Sequence, residues 1–134
     1  MIFLGRKNKF LKTQGRSSFG ASFNHAMDGI EFAINHERNI KIEIFAGICA
    51  SVLGFLLNIS VIEWAILVLV IAMVLCLEFV NTAIERAVDL TTKEYHELAK
   101  AAKDVSAAAV LVMSMFSVII GIIIFLPKLL ILIK

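Results

Sequence analysis

Apolar positions along this chain first recur with helical spacing and then become continuous. Phe19, Phe23, Ala26, Met27, Ile30 and Ile34 fall within an arc of about 100°, while Asn24, Asp28, Glu31 and Asn35 point the other way. This predicts an amphipathic helix that follows Ser17 or Ser18, both good N-caps, and lies in a membrane interface. Three long apolar runs come next. Residues 44–62 carry no charge and cover about 28 Å as a helix, close to the hydrocarbon thickness of a bilayer. Residues 64–84 contain one charge, Glu78, and residues 105–126 contain none. The predicted fold is all-α and integral to a membrane, with spans over about 38–60, 62–90 and 95–126. The connection after Leu57 is short, so the first two spans should form an antiparallel hairpin. Thr91 or Thr92 is expected to cap the third span, with Glu94 in its first turn, and Pro127 is expected to close it.

Composition agrees with membrane insertion, and charge adds an orientation. The 134 residues are 60% hydrophobic, and the mean hydropathy is +0.90, too apolar for a soluble domain of this size. Net charge is only +2 and unevenly spread. Arg6, Lys7, Lys9, Lys12, Arg16, Arg38 and Lys41 precede the first apolar run, and Arg86, Lys93, Lys100 and Lys103 separate the second from the third. Residues 58–63 have no basic side chain. The positive-inside rule therefore puts the N-terminus and the 86–104 loop in the cytoplasm, with Lys128 and Lys134 as a small exception outside. Residues 1–16 read as a basic arm near anionic headgroups, and 17–134 as one membrane-embedded domain. The N-terminus lacks the apolar core of a cleaved signal peptide. Cys49 and Cys76 lie in apolar runs without metal or disulfide spacing. No nucleic-acid partner is expected.

One stretch departs from the apolar pattern. Glu78, Glu85 and Asp89 lie within about 40° of one another on a helix, and Asn81 borders the same stripe. A carboxylate at hydrocarbon depth is costly, so these groups should face a protein interior or a wet cavity. Glu37, Glu94, Glu97 and Asp104 add acids at the same end, beside Lys100 and Lys103. Hard divalent cations take oxygen ligands and lysines neutralise phosphate, which suggests a metal–nucleotide site at the cytoplasmic surface. There is no Walker A sequence and no protein-kinase glycine-rich loop. His25, His36 and His96 have no metal-ligand spacing among themselves. Spacing alone leaves phosphoryl transfer, ion or metabolite transport and a structural subunit open. The acids cluster at one end rather than along a path, which disfavours transport.

The run EFVNTAIERAVDL, followed by EYHELAKAAKDVSAAAV, resembles the prokaryotic diacylglycerol kinase family of small three-helix membrane enzymes. Glu78, Asn81, Glu85, Asp89, Tyr95, His96, Lys103 and Asp104 stand at its motif positions. The segments at 84–86, 37–39 and 61–64 look like its Gram-positive branch, whose preferred lipid is undecaprenol. The resemblance implies a homotrimeric lipid kinase of the bacterial cell membrane that uses ATP and Mg²⁺. By the same resemblance Glu78 is the base toward the lipid hydroxyl, and Asn81 helps arrange the site. Glu37 and Glu85 would hold the metal, while Glu94, Tyr95, His96, Lys103, Asp104 and His25 would contact the nucleotide. Diacylglycerol is the alternative acceptor. His25, Ala26 and Met27 depart from the more polar and aromatic set of the diacylglycerol branch. Arg16 and Glu43 are further supporting candidates.

Overall fold

A computed structural model describes residues 19–133; the basic arm, Arg16 and the candidate caps Ser17 and Ser18 lie outside these residues. Four helices account for the regular structure described: α1 (Phe19–His36), α2 (Arg38–Leu56), α3 (Val61–Thr91) and α4 (Glu97–Leu132). The chain divides after Phe32 into two compact units. In the first, α1 leaves its apolar face unburied, with Phe19, Phe23, Met27 and Ile30 all exposed. In the second, α2, α3 and α4 are each long and apolar enough to cross a membrane. α3 packs most extensively on α4 and next on α2.

Local chemistry sets the connections. α2 stops at Leu56 because Asn58 takes a left-handed conformation (φ 47°), a backbone geometry that asparagine tolerates better than most residues. The amides of Leu57 and Ile59 then satisfy the carbonyls of Leu53 and Gly54. α3 starts at once with a capping box: Glu63 N–H donates to Ser60 Oγ, and Ser60 N–H donates to Glu63 Oε2 at 2.6 Å. The same Glu63 oxygen accepts from Lys128 of α4 at 3.1 Å, which ties the far ends of α3 and α4 together. Ile59, Leu67, Ile124 and Phe125 form a core at this end, with Trp64, Leu53 and Leu129 packed against it.

Two expected boundaries shift. α4 begins at Glu97 and not after Thr92, because His96, rather than a threonine, is its N-cap and accepts from Leu98 N–H through Nδ1. Thr92 instead closes a small turn with Glu94, which leaves Glu94 ahead of the helix. Nor does Pro127 end α4, which runs on to Leu132. Proline removes one backbone donor, but the segment beyond it is held by the Lys128–Glu63 pair and by Leu129 against the core.

Candidate functional site

The buried face of α3 carries the site. Leu67, Val70, Val74, Glu78, Asn81 and Thr82 are its buried residues. Their spacing keeps one helical face turned inward while its character changes from apolar to polar. Glu78 thus occupies a packed position and is only 3% exposed. The residues that pack around it decide what it can do.

Asn39, near the start of α2, and the acids Glu85 and Glu37 lie close enough to Glu78 to bear on it. Glu43, one turn further along α2, is a second acid near Glu78. Its Oε2 is buried with no hydrogen-bond partner among the described residues. On the other side, Asn81 joins two helices. Its Nδ2–H donates to Glu85 Oε1 at 3.3 Å, and its Oδ1 accepts from the Ser106 hydroxyl of α4 at 2.7 Å. Ser106 also lies 2.9 Å from the Lys103 carbonyl, so one hydroxyl proton is shared between two acceptors. Asn81 and Ser106 are both buried, which makes this a satisfied polar bridge inside the helix packing.

Among the described residues, three ion pairs lie at this end of the bundle. Arg86 Nη2 donates to Glu37 Oε1 at 2.6 Å, linking α3 to the residue before α2. Lys103 pairs with Asp89, and Lys100 with Asp104 one turn along α4. Glu94, Tyr95 and His96 are exposed in the connection between α3 and α4. Because His96 Nδ1 accepts from backbone, a neutral His96 carries its proton on Nε2 and presents that donor outward.

The structure therefore brings Glu37, Glu78, Asn81 and Glu85 together at one end of the bundle, with the Lys103–Asp89 pair next along α3 and α4, while Asp104 pairs only with Lys100 among the described residues. His25 is exposed on α1, in the other compact unit. Asn39, Thr82, Ser106 and Arg86 were not marked as site residues by sequence. Asn39 and Arg86 lie inside segments that match the family's Gram-positive branch, and Ser106 lies inside a patch of small residues, but none of these signals marks a site role.

The prokaryotic diacylglycerol kinase family model matches residues 24–125. The chain is 49% identical over 111 residues to an undecaprenol kinase of Bacillus subtilis, covering 83% of this chain and 90% of that protein. It is 43% identical to a diacylglycerol kinase of Synechocystis, over 81% of this chain and 63% of the relative. A diacylglycerol kinase of Escherichia coli is 32% identical, over 80% and 88% of the two chains.

Proposed function

Since the chain belongs to the prokaryotic diacylglycerol kinase family, and is on that account a membrane lipid kinase that uses ATP, we propose that its acceptor is undecaprenol and its product undecaprenyl phosphate. Membership of a kinase family sets aside the transport and scaffold readings. The substrate assignment is supported by the high identity to a kinase named for that lipid.

The observation that carries the mechanism is the burial of Glu78 at a packed position of α3, beside the amide side chain of Asn39. A carboxylate in that setting keeps its acceptor capacity for a substrate proton. In this reading Glu78 takes the proton of the lipid hydroxyl as its oxygen attacks the terminal phosphorus of ATP, and ADP departs. Asn39 and Asn81 orient the carboxylates, Asn81 by tying Glu85 to Ser106. Lys103 offsets phosphate charge, with Glu94, Tyr95, His96 and Asp104 as further nucleotide contacts.

Glu37 and Glu85 would hold Mg²⁺. The fit is good on two counts. Their hard oxygen donors suit the ion, and Glu37 already carries a cation, the Arg86 guanidinium. Among the described residues no three acids, histidines or cysteines converge on one point, so the remaining ligands of such an ion would have to be phosphate and water. When bound, the metal supplies charge neutralisation on the phosphates. The end bearing Glu37 and Arg86 would face the cytoplasm of a bacterial cell, where ATP is found, and three copies would assemble as a homotrimer.

The test is transfer of labelled phosphate from ATP to undecaprenol and to diacylglycerol, side by side in bilayers with Mg²⁺. Undecaprenol should be the better acceptor. Faster transfer to diacylglycerol would reverse the substrate assignment, and no transfer to either lipid would sink the kinase mechanism.

A further inference from the structure

Arg86 and Glu37 are 49 residues apart and form a direct ion pair at 2.6 Å. We propose that Arg86 is a built-in counter-cation that occupies Glu37 in the unloaded protein and must give way before that carboxylate can take a metal ion. The inference rests on Glu37 being a metal-holding carboxylate, as argued above.

Two features of Glu37 point this way. First, it is the N-cap of α2, with extended backbone (φ −108°, ψ 120°), yet its side chain makes no capping hydrogen bond. An acid at that position ordinarily accepts from the first free amides of its own helix, where the helix dipole also favours it. Here the carboxylate is turned instead toward α3. Second, Arg86 has closer acids in sequence, Glu85 beside it and Asp89 three residues on, but Asp89 is taken by Lys103. The guanidinium reaches Glu37, at the N-cap of a different helix.

The pair is also placed to be exchanged. The Arg86 side chain is 49% exposed and that of Glu37 22%, so a hydrated ion arriving with a nucleotide can reach both. An exposed pair of this kind is weak enough to yield to a divalent ion yet holds the carboxylate in one orientation while it waits. Competition of this sort makes Glu37 a poor ligand for a free metal ion. It favours metal that arrives already bound to phosphate, because the phosphates contribute the remaining ligands.

The test uses the full-length protein in bilayer discs, with Mn²⁺ as a paramagnetic probe and no nucleotide present. Binding is read from the loss of free-ion resonance signal, and folding from the fluorescence of Trp64, the single tryptophan. Arg86→Gln and Arg86→Ala should each tighten Mn²⁺ binding by about two- to fivefold, the range expected for releasing an exposed pair. Arg86→Lys keeps the charge without the planar fork, so it is the variant safest for folding and should tighten binding by a smaller factor. In a Glu37→Gln background the same changes at Arg86 should have no effect. Unchanged or weaker binding in the folded Arg86 variants, with Glu37→Gln alone weakening it, would overturn the lock and leave the metal assignment standing. If Glu37→Gln alone leaves Mn²⁺ binding unchanged, the metal assignment falls and the lock with it.

Discussion

At the scale of single residues, the site is a carboxylate at a packing position, supported by amides and a hydroxyl. Replacing Glu78 by Gln preserves size and removes the carboxylate proposed to accept the substrate proton. Phosphate transfer should fall to background while a non-hydrolysable ATP analogue still binds within about twofold of wild type. Glu85→Gln should instead raise the KM for Mg·ATP more than it lowers kcat. Ser106→Ala leaves Asn81 Oδ1 buried without its donor, at a cost of about 1–3 kcal/mol, and should lower the unfolding temperature in detergent. The periodic acids Glu78, Glu85 and Asp89 were legible in the sequence because an acid inside an apolar run stands out and the helix repeat places its neighbours. Ser106 and Arg86 were not. Their partners lie 25 and 49 residues away, and a contact across that separation leaves no periodic trace.

At the scale of elements, the three spans were legible in number and order, since apolar runs of this length have few other uses. Their ends were less so. Thr92 carries as good a capping side chain as any, yet His96 caps α4, because the turn closed by Thr92 and Glu94 delays the helix by several residues. Pro127 signals a stop only if nothing holds the chain beyond it; the Lys128–Glu63 pair and Leu129 do so. The hairpin between α2 and α3 has its own weak point. A Cβ at Gly54 would meet Ile59 Cδ1 at 3.0 Å and the Trp64 ring at 3.1 Å. That ring is also packed on Phe55, with centroids 4.7 Å apart, so it has little room to yield. Gly54→Ala should destabilise the protein by about 1–3 kcal/mol, seen as a lower unfolding temperature with Trp64 fluorescence as the probe.

At the scale of the molecule, most of the large apolar side chains of the spans remain exposed, among them Phe45, Leu69, Leu111 and Ile119. In a membrane this surface meets lipid or other copies of the chain. A homotrimer predicts a particle of three chains by light scattering after correction for bound detergent, and a monomeric mass would refute it. The length of α3 has a further consequence. From Val61 to Glu78 the helix rises about 26 Å, just short of the hydrocarbon thickness of an average bilayer. With its first turn anchored by Ser60, Glu63 and Lys128, the helix acts as a ruler that sets Glu78 just inside the opposite leaflet. Turnover should then depend on acyl-chain length, falling in bilayers too thin or too thick for lipid headgroup and carboxylate to meet at one depth.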